Sequence, residues 1–205
     1  MRDRGVGEDM KVYGITGGAG TGKSEVIRML RDDFNGYVIM ADDVARELTM
    51  KGNISYRLIV EHFGSEVLAA DGEIDRKKLA DYVFNDKDAL EQLNSMTHPY
   101  VREEIMYRIE AAKASGQYAF VALEAALLLE CGYENICDEF WYVYTKPEIR
   151  RQRMKATRNY SDEKVDAVMK NQLPDAVFFE RCQLVIENNT TLTDVYEQLK
   201  KKLVV

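Results

Sequence analysis

Five short apolar runs punctuate the chain, at residues 11–16 (KVYGIT), 37–41 (YVIMA), 118–123 (YAFVAL), 139–144 (EFWYVY) and 184–186 (LVI). Each is rich in β-branched or aromatic residues and lacks regular polar alternation. Such runs read as strands buried on both faces, the pattern of a parallel sheet covered by helices. Between them apolar positions recur at the helical period. Val26, Ile27 and Leu30 share a face after the first run, and Ile54, Leu58 and Ile59 share one before Gly64. Val101, Ile105, Ile109 and Ala112 fall at i, i+4, i+8 and i+11, which predicts a long amphipathic helix. Pro99 is expected at its start, where a missing N–H costs nothing. Asp71 and Gly72 predict a turn. Thr145 and Glu148 have capping-box spacing for a helix after the fourth strand. Ser161 can cap the next one, with Asp162 and Glu163 at its positive end. Leu192, Val195, Leu199 and Leu203 mark a final helix. The alternation predicts a doubly wound, three-layer α/β/α domain with a parallel sheet of about five strands.

Composition narrows the class. A chain of 205 residues, 46% apolar, suits one α/β domain with one large core. The net charge of −7, with no general basic excess, argues against a nucleic-acid partner. Cys131, Cys137 and Cys182 are odd in number and form no C-x-x-C pair, which fits a reducing cytosol better than a disulfide framework or zinc site. Neither His62 nor His98 stands at metal-ligand spacing from them. No apolar stretch reaches the ~18 residues of a membrane span. Residues 1–9 are charged and without an apolar segment, so they predict a disordered extension before a domain at 10–205, or a start codon placed too early.

Residues 17–24, GGAGTGKS, satisfy G-x-x-x-x-G-K-[ST] between a β-rich run and an amphipathic helix. Glycines such as Gly18, Gly20 and Gly22 let successive N–H groups, Thr21's among them, point at phosphate oxygens. The helix that follows, from Lys23 through Ser24 and Glu25, adds its positive end. Lys23 supplies a mobile charge for the β and γ oxygens of ATP, and the Ser24 hydroxyl is a Mg²⁺ ligand. The pattern resembles the P-loop nucleotide-binding fold. A guanine-reading N-K-x-D is missing after the fourth strand, where Thr145-Lys146-Pro147-Glu148 stands instead. That turns the reading from a regulatory GTPase toward a kinase, which needs an acceptor site and a base.

The second strand runs into Ala41-Asp42-Asp43-Val44-Ala45-Arg46. Carboxyl ends of parallel strands face the ligand crevice. Asp42 there is either a general base for an acceptor hydroxyl or a helix cap; Asp43 reads as a cap. Arg46 can hold an anionic substrate. From these residues the chain resembles the dephospho-coenzyme A kinase family. The ordered blocks are A-D-x-x-A-R at 41–46, EHFG at 61–64, DGEIDRKKL at 71–79, Val83-Phe84, Leu93-Asn94, THP at 97–99, EAALLLE at 124–130 and VIENN at 185–189. The resemblance implies transfer of the γ-phosphoryl of ATP to the ribose 3′-hydroxyl of dephospho-coenzyme A, the last step of coenzyme A synthesis, in the cytoplasm. It implies Asp42 as the base and residues 20–25 as the ATP-binding stretch. Three positions depart from the family pattern. Met40 stands where an acidic residue is frequent, Ala126 where proline is common, and Glu124 where aspartate is usual. Glu124 keeps a carboxylate with longer reach, as a Mg²⁺ ligand or a lysine partner.

Arg150, Arg151, Arg153, Lys155 and Arg158 crowd one short segment of an acidic chain. Related kinases keep a mobile lid at this point, so a lid is expected over 150–175. Its phosphate-binding, catalytic arginines would be Arg153 and Arg158, with Arg150 and Arg151 on the surface. A helical acceptor segment is expected over 50–115. His98, before Pro99, is a structural cap or a substrate contact, and Asn188 and Asn189 form a turn or hold adenine. Nucleoside or nucleotide kinases of similar architecture are the alternative, although the D-G-x-P-R block of the adenylate-kinase type is absent. A binding-only ATPase regulator is the third reading.

Overall fold

The computed structural model describes residues 10–84, 86–125, 128–129 and 132–204. The expectations for residues 1–9, Ala126, Leu127, Glu130 and Cys131 lie outside the described residues. The chain divides into two compact units, one of residues 1–39 and 109–205, the other of residues 40–108.

The first unit is built on a sheet of β1 (Val12–Thr16), β2 (Gly36–Met40), β3 (Phe120–Glu124), β4 (Glu139–Tyr144) and β5 (Leu184–Glu187), in the order β2-β3-β1-β4-β5. It is a parallel sheet. β1 lies in its centre, with Ile15 beside Glu124 and Trp141. All five apolar runs became strands because both faces are covered. On one face Tyr13 stacks on Trp141 at 4.2 Å, and Lys202 of α9 (Leu192–Leu203) reaches Glu139. On the other, Tyr142 stacks on Phe178 of α8 (Asp175–Arg181) at 4.7 Å. α1 (Lys23–Asp32) buries the expected Val26, Ile27 and Leu30, and packs on α9. α6 (Pro147–Arg158) and α7 (Asp162–Lys170) complete the unit, and Ser161 caps α7 by accepting the Lys164 N–H. The capping box at Thr145 and Glu148 does not form. Lys146 is the N-cap, Pro147 takes the first turn, and the Thr145 hydroxyl is turned into the interior.

The second unit carries α2 (Ala41–Leu48), α3 (Ile54–Phe63), α4 (Arg76–Val83) and the first part of α5 (Lys87–Ser115). Its core is Ile59, Phe63, Val67, Leu79, Val83 and Ala89, with Leu93 and Met96 packed against it. Asp75 caps α4 by accepting the N–H groups of Lys77 and Lys78. Pro99 does not begin α5; it lies inside. The buried stripe explains why: Ala89, Leu93 and Met96 continue the spacing of Val101 and Ile105 backwards through the proline. Pro99 and Ser95, whose carbonyl loses its i+4 donor, are both exposed, so water can serve that group.

Candidate active site at the phosphate loop

β1 ends at Thr16, the chain turns through residues 17–22, and α1 begins at Lys23. Gly22 is the N-cap and has no side chain to satisfy the N–H groups of Lys23 and Ser24 at the start of α1, while the Glu25 N–H turns back to the Gly22 carbonyl at 3.1 Å. The loop closes on itself: the Thr21 hydroxyl donates to the Gly18 carbonyl at 2.8 Å. The Lys23 ammonium lies across the loop, donating to the Gly17 carbonyl at 2.5 Å and standing 3.7 Å from the Glu124 carboxylate at the end of β3. Burial lowers the Lys23 pKa; Glu124 opposes that shift, and the positive charges of Arg150 and Arg158 deepen it. Lys23 therefore sits in a field that an anionic phosphate would relieve.

Behind the loop is a polar frame. The Thr21 carbonyl accepts from the Thr145 hydroxyl at 2.9 Å, from the Asn188 amide at 2.8 Å and from Arg153 at 3.4 Å. Thr145 and Asn188 are buried. A trans peptide points its C=O and N–H in opposite directions. Holding the Thr21 carbonyl backward therefore presents the Gly22 N–H forward, on the ligand side. Gly22 itself has φ +86°, and a Cβ there would strike the Asn188 amide, so only glycine fits.

The geometry redistributes the expected roles. Asn188, expected to form a turn or hold adenine, is fully engaged as a strut of the loop. Arg153, expected on a mobile lid, donates to Thr21, Thr145 and Asn188 behind the loop, because it lies on the inward face of α6. Arg150, expected on the surface, is 4% exposed and donates to the Ala19 carbonyl at 3.1 Å. Arg151 does pair outward, with Asp162 and Asp166. Arg158 is exposed near the end of α6, its guanidinium 5.9 Å from the Tyr160 ring centre, and its charge reaches Lys23. Ser24 is exposed in the first turn of α1, and Glu25 pairs with Arg28 at 3.0 Å. Glu124 is buried and is met by lysine, the second of its two expected roles.

In the second unit, Asp42 is exposed in the first turn of α2, directly after β2. Arg46 pairs with Asp43 at 2.6 Å. His98 is exposed within α5; it is not a cap before a helix-initiating proline, because the helix has already begun. The residues that sequence reasoning missed are Arg150, Thr145, Gln172 and Asp175. Arg150 had one readable signal: it stands four residues before the apolar Met154 on α6, hence on the face turned toward the body.

A sheet with its first strand feeding a lysine-bearing glycine loop, and a helix N-terminus beyond it, defines a P-loop nucleotide-binding domain. Residues 11–194 match the family model described as dephospho-CoA kinase. The chain is 37% identical over 194 residues to a dephospho-CoA kinase of Enterococcus faecalis, covering 94% of this chain and 96% of that one. It is 39% identical over 189 residues to one of Bacillus thuringiensis subsp. konkukian, covering 92% and 94%. The crystal structure of TT1252 from Thermus thermophilus superposes with a TM-score of 0.80 at 30% identity, over 95% and 96% of the two chains. The chain belongs to the dephospho-CoA kinase family, whose members catalyse the final step of coenzyme A biosynthesis. It is thus a nucleotide-using enzyme that acts on a small molecule.

Proposed function

We propose that the enzyme moves the γ-phosphoryl of ATP to the ribose 3′-hydroxyl of dephospho-coenzyme A, with the loop at 17–24 as nucleotide site and Asp42 as general base. The observation that carries this reading is the seating of Lys23 between the Gly17 carbonyl and Glu124, inside a loop whose Thr21 carbonyl is held backward. Phosphoryl transfer passes through a loose transition state with charge spread over the equatorial oxygens, so positioned cations and N–H groups do most of the work. Lys23 and the first N–H groups of α1 bind the phosphates. Arg158, exposed and electrostatically coupled to Lys23, adds charge as the transferring group separates. Gly18, Gly20, Thr21, Gly22 and Glu25 shape the loop, and Asn188 and Arg153 support it from behind.

Asp42 takes the proton of the acceptor hydroxyl. Support comes from its exposure and from the pairing of Arg46 with Asp43 rather than with it. The exposed Arg46–Asp43 pair is weak, so an anionic acceptor can draw the guanidinium away. His98, also exposed, is a second acceptor contact. The Ser24 hydroxyl and the Glu124 carboxylate are hard oxygen donors of the kind Mg²⁺ takes. When bound, Mg²⁺ neutralises charge on the β and γ oxygens. The helical unit at 40–108 serves the acceptor, the lid segment at 150–175 offers Arg158 and is anchored against the loop by Arg150 and Arg153, and, among the described residues, the free thiols at Cys137 and Cys182 favour a cytosolic setting.

The test pairs two neighbours. Asp42→Asn removes the proton acceptor and keeps the shape, so kcat falls about 10²-fold or more while KM for ATP barely moves. Asp43→Asn, which only frees a surface arginine, stays within about threefold. A dead Asp43→Asn beside an active Asp42→Asn would place the base one residue on; two active variants would remove the carboxylates from the mechanism.

A further inference from the structure

The kinase reading uses Lys23, Arg158 and the loop, but leaves the most buried cation among the described residues unexplained. Arg150 is 4% exposed, and its guanidinium is divided among three elements. Nε donates to the Ala19 carbonyl in the phosphate loop at 3.1 Å. One terminal nitrogen donates to Oε1 of Gln172, in the turn between α7 and α8, at 2.5 Å. The other lies 3.4 Å from Oδ1 of Asp175 at the start of α8. That carboxylate oxygen also accepts from the buried Tyr142 hydroxyl of β4 at 2.7 Å. Burying a guanidinium is costly unless its donors are met, and here the planar fork meets its acceptors in separate directions. The fit is close on the loop side too. A Cβ on Gly18 would collide with the guanidinium, and one on Gly20 would come 2.9 Å from the Arg150 carbonyl.

We infer that Arg150 is a positioning residue for the nucleotide: it ties the peptide between Ala19 and Gly20 to the α7–α8 turn through Gln172 and to α8 through Asp175. The peptide is planar and trans, so a carbonyl drawn toward Arg150 sends the Gly20 N–H the opposite way, to the ligand side. Arg150 does for this peptide what Thr145 and Asn188 do for the one between Thr21 and Gly22. The difference is the other end of the fork. The frame around Thr21 is anchored on strand ends and α6, whereas Arg150 is shared with the segment 171–175. One side chain therefore fixes the loop and the position of that segment together. A lysine would keep the charge, but one nitrogen cannot hold acceptors set in divergent directions.

This inference rests on the reading of the loop as a nucleotide site. It does not depend on the acceptor, because ADP binding alone reports it. The experiment measures ADP affinity by calorimetry, together with KM for ATP, KM for dephospho-coenzyme A, kcat and melting temperature. The proteins are Arg150→Lys, Gln172→Ala, the double variant, and Arg151→Ala as a control. Arg150→Lys is expected to weaken ADP binding and to lower kcat/KM for ATP, each about tenfold or more, while KM for the acceptor stays within about twofold. Gln172→Ala weakens ADP binding about threefold, and the double variant is no weaker than Arg150→Lys, since the link runs through the arginine. Arg151→Ala binds ADP as the unchanged protein does. A lower melting temperature with ADP affinity unchanged in both single variants would make Arg150 a purely structural residue and overturn the inference. Additive losses in the double variant would also overturn it, because Gln172 would then act by another route. If Arg150→Lys does not fold, Gln172→Ala decides alone: it leaves the arginine in place, and unchanged ADP affinity there would sink the inference. Loss of ADP binding in the unchanged protein would instead remove the nucleotide reading itself.

Discussion

The frame behind Thr21 makes a quantitative prediction about coupling. Thr145→Val removes the hydroxyl that is shared between the Thr21 carbonyl at 2.9 Å and the Asn188 carbonyl at 3.0 Å. Neither acceptor is orphaned, because Asn188 still serves Thr21 at 2.8 Å and Arg153 still serves the Asn188 carbonyl at 3.1 Å. The cost is one net hydrogen bond, about 1 kcal/mol. Asn188→Ala removes the other short donor and leaves a small cavity, together about 2 kcal/mol. In the double variant the Thr21 carbonyl keeps only Arg153 at 3.4 Å, close to an unpaired buried acceptor. Stranding it adds a further ~1–3 kcal/mol of desolvation cost. The double variant is therefore expected to lose about 4–6 kcal/mol, against about 3 kcal/mol from adding the singles. Urea denaturation of the four proteins measures this directly. In a chain of this size the singles should lower Tm by about 2–8 °C. Additivity within about 0.5 kcal/mol would show that the three donors do not share one acceptor, and would refute the frame.

Three further outcomes are expected, two at the site and one in the core. Arg158→Ala should lower kcat more than it raises KM for ATP, since spread charge exists only in the transition state; steady-state kinetics that show a rise in KM alone would make it a ground-state contact. Lys23→Ala should lower kcat by about 10²-fold or more, as loss of a preorganised charge does, and near-normal turnover would remove the loop from catalysis. Burial pushes the Cys137 thiol from 9.0 up to about 12, and the neighbouring Asp138 and Glu134 carboxylates add to the shift. The thiol is thus neutral in the folded state. Its stabilising contribution is complete below pH 9 and is lost as pH rises from there toward 12. Peptide-resolved alkylation at pH 8 should leave Cys137 unmodified in the native protein, and rapid native labelling would contradict its burial.

The sheet was legible because its signal is redundant. Val12, Ile15, Val121, Leu123, Trp141 and Val143 are apolar in sequence and buried in space, and a glycine cluster stands directly after β1. Lys23 could be found for the same reason, as motif and context agree. What could not be read was which partner a polar group would choose. The spacing of Thr145 and Glu148 fits a capping box, yet Thr145 serves carbonyls 124 and 43 residues away in sequence. Arg150 sits in a charge run that looks solvated, and only its α-helical register with Met154 separates it from Arg151. Pro99 carries a real local preference for a helix start, but the apolar stripe from Ala89 to Ile109 overrides it. Buried polar pairings are long-range facts, and short-range patterns do not encode them.

The central claim is that this P-loop kinase phosphorylates a ribose hydroxyl of dephospho-coenzyme A. The direct measurement incubates the purified protein with ATP and Mg²⁺ and, in parallel, with dephospho-coenzyme A, AMP, UMP, CMP and pantothenate, following ADP release and locating the new phosphate by NMR. ADP release only with dephospho-coenzyme A, and phosphate on its ribose 3′-oxygen, is the predicted result; turnover with AMP and none with dephospho-coenzyme A would contradict the account.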